Sequence, residues 1–385
     1  MNALELYERY KGYLQYDPDN TELVSKTIEY ALKAGDMDNA WALSVLVINE
    51  FSQDESCYYQ AVTASLATHH YSEAVAWLVE TVQSESPPVW ALFNYAFALL
   101  HLGEYAKVIE HFVQNESNES VAREAPSLLV LKARALYCLG SYTECEKDLN
   151  LYIGSFPDDP EAFGLLSLVL YDRGDLDKAE KMAMRAIGID ENQIEAILAL
   201  ASISLARRNI QSANKYVDSI LSKAPNVGRA LAIKGQLRLI ENNHLEAKAC
   251  FEHALQSLSS HIGTWHGLAW CHLLSEEYDK CAYAFEEALK LDHNFAETHG
   301  GLALLYALTG EVVKANEYLE KALRLDRRCF SGMFAKAILL RHQGQDREAN
   351  RLINTILGSS VMEGDLPLRD IVSKLAAKSD SSLNE

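Results

Sequence analysis

A small side chain recurs at a fixed interval along almost the whole of this chain. The interval is 34 residues, apart from one step of 37 between Val108 and Cys145. The positions are Ala40, Ala74, Val108, Cys145, Ala179, Ala213, Ala247, Cys281, Ala315 and Ala349. A fixed period of this length indicates one supersecondary unit repeated along the chain, and such units bury their apolar faces by stacking on their neighbours.

Each unit reads as two helices joined by a turn. In the stretch 296–326, Leu302, Leu305 and Leu308 return at helical spacing, and a second apolar run follows beyond Gly310. A second small residue, which lets two helices approach closely, recurs at Ala96, Ala133, Ser167, Ala201, Gly235, Ala269, Ala303 and Ala337. Glycines that we expect to end first helices with a positive φ are Gly35, Gly103, Gly140, Gly174, Gly310 and Gly344.

In period, residue classes and spacing the chain resembles the tetratricopeptide repeat family, whose unit is a helix-turn-helix of 34 residues. The resemblance covers residues 21–363 and implies an all-α fold, an α-solenoid whose repeats stack into a right-handed superhelix. About ten units follow, beginning at Thr21, Glu55, Val89, Pro126, Pro160, Ile194, Gly228, Ile262, Ala296 and Phe330. The family's proline near the end of a unit is present at Pro157 and Pro225 and is replaced elsewhere, as by Glu191.

This register divides the chain into four predicted segments. Residues 1–20 form an N-terminal half-repeat helix, 21–122 hold repeats 1–3, 123–363 hold repeats 4–10, and 364–385 form a C-terminal capping helix and a disordered tail. The three extra residues near 113–126 make either a longer loop or a hinge between the two groups of repeats.

Composition and motifs exclude several classes of function. The net charge of −19 disfavours nucleic acid and anionic membranes. The N-terminus lacks the pattern of a signal peptide and no apolar run is long enough to span a bilayer, so we expect a cytoplasmic protein. Seven cysteines at irregular spacings indicate reduced thiols, with Cys145 and Cys281 buried as small apolar residues. No nucleotide, cofactor or metal motif and no catalytic constellation is present, and we expect no enzyme.

The resemblance implies that the first helices of the repeats line the inner, concave surface. The lysine and asparagine with which some chaperone-binding members hold a carboxylate are missing from this lining. What remains is an apolar groove rich in aromatic side chains, and its predicted partner-binding residues are Tyr59, Trp90, Phe93, Phe97, Tyr137, His266, Trp270, Phe334 and Ile338. The alternative interpretation is that a tight superhelix packs these rings against neighbouring repeats.

The groove favours a scaffold, adaptor or chaperone that binds a peptide or an amphipathic helix of a partner protein. Acidic surroundings favour a basic partner. The alternative is a regulatory or assembly subunit of a larger complex, for example secretion or enzyme machinery, that uses its outer surface or self-association.

Gly300 and Gly301 interrupt a predicted helix, where glycine costs roughly 1 kcal/mol relative to alanine. They indicate either close helix packing or space beside Trp270 and Phe334 for a bound side chain.

Overall fold

The computed structural model describes residues 2–115 and 126–357. Within these ranges every regular element is a helix. In chain order the helices are α1 Ala3–Tyr16, α2 Thr21–Ala34, α3 Met37–Glu50, α4 Glu55–Ala67, α5 Tyr71–Val82, α6 Val89–His101, α7 Tyr105–Asn115, α8 Ser127–Cys138, α9 Tyr142–Ser155, α10 Pro160–Asp172, α11 Leu176–Ile189, α12 Ile194–Ala206, α13 Ile210–Leu221, α14 Gly228–Ile240, α15 His244–Ala254, α16 Ile262–Leu274, α17 Tyr278–Leu291, α18 Ala296–Leu308, α19 Val312–Leu325, α20 Phe330–His342 and α21 Asp346–Leu357.

From α2 onward the helices alternate as the first and second helices of ten repeats. Nine of the ten first helices begin at the predicted residue, and the tenth, α8, begins at Ser127 because Pro126 is its N-cap. Helices that follow each other in the chain pack as hairpins, as α2 with α3 and α18 with α19 do. The predicted repeats and the all-α solenoid class are therefore confirmed.

The turn inside each repeat is left-handed whether or not it holds a glycine. All six predicted turn glycines have φ between 73° and 83°. The same position in the other four repeats holds His69, Arg208, Asn242 and Glu276, with φ between 61° and 65°. A left-handed residue at the helix C-terminus supplies N–H groups to the last carbonyls, so the hairpin geometry prevails over the local preference of these side chains.

The interior follows the periodic small residues. All ten side chains of the first series, from Ala40 to Ala349, are at most 1% exposed. Cys145 and Cys281 are fully buried among them, as expected, and burial raises the pKa of the Cys145 thiol to about 12. These residues mark where the second helix of each repeat packs closely on its neighbours.

Polar contacts join successive repeats at their turns. Arg207 donates to Glu180 Oε2 at 2.7 Å and to Asp177 Oδ1 at 2.8 Å. One repeat later, the Asn214 amide donates to Glu241 Oε1 at 3.1 Å. The same pair of positions thus carries a different chemistry in adjacent repeats, because only the distance between them is fixed by the stacking.

The chain separates into two compact units, Met1–Arg173 (unit 1) and Gly174–Glu385 (unit 2). In unit 1, α1 packs on α2, and its buried Tyr7 donates a hydrogen bond to Asp36 Oδ2 at 2.8 Å. In unit 2, one apolar core runs from Leu239 to Ile356. The predicted hinge near 113–126 falls mostly outside the described residues, and the predicted capping helix and tail at 364–385 fall entirely outside them.

Candidate functional site

The first helices of unit 1 hold aromatic side chains that remain partly exposed. Tyr59 on α4 is 39% exposed, and its ring meets the ring of Trp90 on α6 edge to face at 5.2 Å between centroids. Trp90 is also in edge contact with Tyr58 at 5.9 Å. The stacking of α4 on α6 therefore brings together two of the predicted site residues, which are 31 positions apart in the sequence.

The same surface continues along α6. Phe93 and Phe97 stack at 6.4 Å, and Phe97 contacts His101 at 4.4 Å. His101 also stacks on Tyr71 at 4.6 Å. Burial between these rings lowers the pKa of His101, with repulsion from nearby cations as a smaller cause, so the imidazole is neutral at pH 7. We call Tyr59, Trp90, Phe93, Phe97 and His101 the aromatic face.

Tyr137, the fifth predicted residue of unit 1, lies on α8. Its hydroxyl donates to Asp172 Oδ2 at 2.6 Å, and its ring contacts Tyr142 at 5.8 Å. On the same helix, Arg134 forms an ion pair with Glu161 at 3.3 Å. The cation and the phenol of α8 are therefore both engaged with acids of α10 rather than left for a ligand.

Unit 2 places three of the other four predicted residues inside its core, and the fourth, His266, is partly exposed. Trp270 is 7% exposed, Ile338 2% and Phe334 0%. His266 shares a hydrogen bond of 2.8 Å between its Nε2 and Thr298 Oγ1, and burial lowers the pKa of its imidazole to about 4. Trp270, Phe334 and Ile338 present almost no surface to a partner, which is the internal packing that the alternative interpretation described.

One phenylalanine of a second helix organises this packing. The ring of Phe285 on α17 is fully buried, and both His266 and Trp270 meet it edge to face at 5.4 Å. Phe251 on α15 occupies the equivalent position one repeat earlier. Sequence reasoning missed both phenylalanines, although the recurrence of a glycine 16 residues after each of them, at Gly267 and Gly301, was a usable signal.

Glycines allow this close packing, and neighbouring residues fill the space beside them. A Cβ at Gly301 would lie 2.4 Å from Cζ of Phe285, and one at Gly300 would lie 2.6 Å from both Cys329 Sγ and the Gly332 nitrogen. There is no room for a bound side chain beside these glycines, because residues of α17 and α20 lie there. Close helix packing is the correct interpretation.

The two units differ in how many glycines their first helices carry. Four of the five first helices of unit 2, α14, α16, α18 and α20, each contain at least one glycine and α12 contains none, whereas in unit 1 only α10 contains one, Gly164. Glycine removes the Cβ that keeps two helix backbones apart. Next to the glycines of α18, Phe334 on α20 is fully buried, whereas Phe93 at the equivalent position of α6 is partly exposed.

Other chemistry is sparse in the part of the chain that the structure describes. No group of three or more His, Cys, Asp or Glu side chains is arranged to hold a metal ion. Across residues 2–115 and 126–357, no helix combines the length and the apolarity needed to cross a membrane. All seven cysteines are free. The aromatic face is therefore the strongest candidate for a functional surface.

Comparison with known proteins supports the repeat assignment. Two segments, 160–193 and 263–295, match family models described as tetratricopeptide repeat. The first segment begins at Pro160, the first residue of the fifth repeat. The second begins one residue after Ile262, the first residue of the eighth repeat. No curated protein matches the sequence.

Solved structures share the fold at low sequence identity. The chain is similar to one from the crystal structure of the APC/C hetero-tetramer Cut9-Hcn1, with 16% identity and a TM-score of 0.64, over 89% of this chain and 67% of that one. It is also similar to a monomeric mutant of IFIT1 with m7Gppp-AAAA, with 14% identity and a TM-score of 0.52, over 78% of this chain and 77% of that one. At these identities the likeness is one of architecture.

Proposed function

We propose, since the chain is a tetratricopeptide repeat protein, that it serves as a non-enzymatic scaffold that binds a segment of a partner protein on the aromatic face of unit 1. The observation that carries this proposal is exposure. Tyr59, Trp90, Phe93 and Phe97 all keep part of their surface open, whereas Trp270, Phe334 and Ile338 of unit 2 are buried in its core and only His266 is partly exposed there. Rings held by a helical framework are the side chains from which interface hot spots are built.

The geometry suits an apolar segment of a partner, either an amphipathic helix or an extended peptide. The four rings lie on two adjacent first helices, and Phe93 and Phe97 are one helical turn apart on α6. An apolar side chain laid between these rings would bury surface on both partners, at about 25 cal/mol for each Å². Scaffold, adaptor and chaperone roles all share this step, and the seven free cysteines suit a cytoplasmic location.

RNA and catalysis are not part of the proposal. The net charge of −19 repels a phosphate backbone, and none of the described cysteines or histidines lies in a group that could bind a metal ion. Burial raises the pKa of the Cys281 and Cys329 thiols, which makes them poor nucleophiles at neutral pH.

Affinity capture from the native cell tests the proposal. We expect the Phe93→Ala/Phe97→Ala double variant to lose the partners that the wild-type chain retains. Tyr59→Ser, which removes a more exposed ring, should weaken the same capture with less effect on folding. The matched control is Leu151→Ala/Val313→Ala, since both side chains are strongly exposed, at 69% and 74%, and lie on second helices.

Hydrogen exchange on the purified complex locates the contact. Bound partner should slow exchange in α4 and α6 more than in α16 and α18. Capture that is the same for wild type and for a Phe93→Ala/Phe97→Ala variant with unchanged helix content would reject the aromatic face as the binding surface.

A further inference from the structure

The acidic charge of the chain is concentrated in the unit that carries the aromatic face. Residues 1–173 contain 26 Asp and Glu against 10 Lys and Arg, whereas residues 174–385 contain 28 against 25. Unit 1 thus holds a net charge of −16 and unit 2 one of −3. Between Lys33 and Lys107 there is no lysine or arginine at all, and this stretch includes α4 and α6.

Most acids of this stretch have no basic partner. It contains nine Asp and Glu, and in the described part of the chain only Glu104 forms an ion pair with a cation, Lys107, at 3.3 Å. Asp36 and Asp54 accept backbone N–H groups as helix N-caps. The carboxylates without a basic partner among the described residues are Asp38, Glu50, Glu55, Glu73, Glu80 and Glu85.

The fold does not require this excess of acid. Unit 2 is built from the same repeat and pairs its acids with cations, as in Glu180 with Arg207 and Glu277 with Lys248. Uncompensated like charges destabilise a compact state by mutual repulsion. A property that costs stability and that the same architecture lacks elsewhere points to a role in binding rather than in folding.

Two exposed acids lie close in sequence to residues of the aromatic face. Glu55 begins α4 one helical turn before Tyr59, and the two residues share a face of the helix. Glu85 lies in the connection between α5 and α6, five residues before Trp90. Aromatic rings beside carboxylates attract cations twice, through the ring faces and through the acids.

We infer that the partner segment is basic, with Lys or Arg side chains placed between apolar ones, and that its cations lie toward Glu55 and Glu85 while its apolar side chains contact the aromatic face. The inference rests on the proposed function and adds the chemistry of the partner to it. A segment with acidic charges, or a nucleic acid, would meet repulsion from the same carboxylates.

The test uses the full chain and three synthetic peptides of about 18 residues with helical amphipathic spacing. One carries leucine and lysine, the second leucine and glutamate, and the third serine and lysine. We expect binding of the first peptide by fluorescence anisotropy, and no saturable binding of the other two. Its affinity should fall about tenfold or more between about 50 and about 300 mM NaCl, because screening weakens exposed ion pairs.

Charge variants separate this inference from the proposed function. Glu55→Gln/Glu85→Gln should weaken binding of the leucine-lysine peptide about three- to tenfold and flatten its salt dependence. The matched control is Glu317→Gln/Glu320→Gln on α19, which removes two exposed acids from unit 2 and should leave the affinity unchanged. Phe93→Ala/Phe97→Ala should weaken binding at every salt concentration.

Each other result decides against one of the two ideas. No binding of the leucine-lysine peptide, equal binding of the leucine-glutamate peptide, or an unchanged affinity for Glu55→Gln/Glu85→Gln overturns the basic partner. If in such a case the Phe93→Ala/Phe97→Ala variant still loses its cellular partners, the proposed function stands without the inference of a basic partner. If the Phe93→Ala/Phe97→Ala variant binds the leucine-lysine peptide with unchanged affinity, the aromatic face is rejected as the binding surface. The proposed function is then rejected as well.

Discussion

Replacing Gly301 by alanine tests how glycine closes the inner face of unit 2. The new Cβ would lie 2.4 Å from Cζ of Phe285, whereas carbon atoms in contact are separated by about 3.5 to 4.0 Å. The ring therefore has to move by more than about 1 Å. It is 0% exposed and is held by His266 and Trp270, so it has no free space to enter. Overpacking of this kind costs about 1 to 3 kcal/mol.

Alanine also has an intrinsic advantage in a helix, worth about 1 kcal/mol over glycine. Gly188→Ala in α11 of the same unit supplies the control, because nothing lies within 4 Å of the Cβ position there. We expect Gly188→Ala to raise the free energy of unfolding by up to about 1 kcal/mol. The free energy of unfolding of Gly301→Ala should be about 1 to 3 kcal/mol lower than that of Gly188→Ala.

Urea unfolding followed by far-ultraviolet circular dichroism and by tryptophan fluorescence measures both variants. Trp270 is edge-on to Phe285 and reports on the same contact. A Phe285→Leu substitution should relieve the clash, so the Gly301→Ala/Phe285→Leu double variant should lose less stability than the two single losses together. The reasoning is refuted if Gly301→Ala stabilises the protein as much as Gly188→Ala does.

Three further predictions concern unit 2. Gly310→Ala should destabilise it by roughly 1 to 2 kcal/mol and Glu276→Gly should stabilise it by about 1 kcal/mol, both measured by urea unfolding, because both residues are left-handed. Burial holds the pKa of His266 at about 4, below its usual 6.5. The free energy of unfolding should therefore fall by roughly 3 kcal/mol as pH falls from 6.5 to 4. His266→Gln should abolish that loss in a pH series of unfolding curves. Hydrogen bonds from His272, then Lys280 and Lys248, lower the pKa of Glu277 to about 2. Its contribution to stability is therefore present above its usual pKa of 4.5 and disappears as pH falls to 2. The difference in the free energy of unfolding between wild type and Glu277→Gln should vanish over that range.

The exposure of the aromatic face and the acidity around it are independent features of unit 1. Exposure is seen at Tyr59, Trp90, Phe93 and Phe97 on α4 and α6, and acidity follows from a stretch between Lys33 and Lys107 with no basic residue. Neither is required by the repeat, since unit 2 has the same hairpins with nearly balanced charge and with Trp270, Phe334 and Ile338 buried on its first helices. This difference between two halves of one architecture is why the proposals address unit 1.

The sequence by itself determined the repeat. A 34-residue period in small side chains fixed the number of hairpins, the starts of nine first helices and the burial of the series from Ala40 to Ala349. It also fixed the left-handed turns at six glycines. It could do so because these features depend on spacing along one helix or across one turn, which the chain encodes locally.

The tertiary structure alone decided which inner side chains are available for binding. Phe93 and Phe334 occupy the same position of their repeats, yet the first is partly exposed and the second is fully buried. The outcome depends on how closely neighbouring first helices approach, and that distance is set by contacts between repeats, such as those of Gly300 with Gly332 and Gly301 with Phe285. A periodic pattern predicts which residues face inward, but whether those residues are buried depends on the side chains of neighbouring repeats that pack against them.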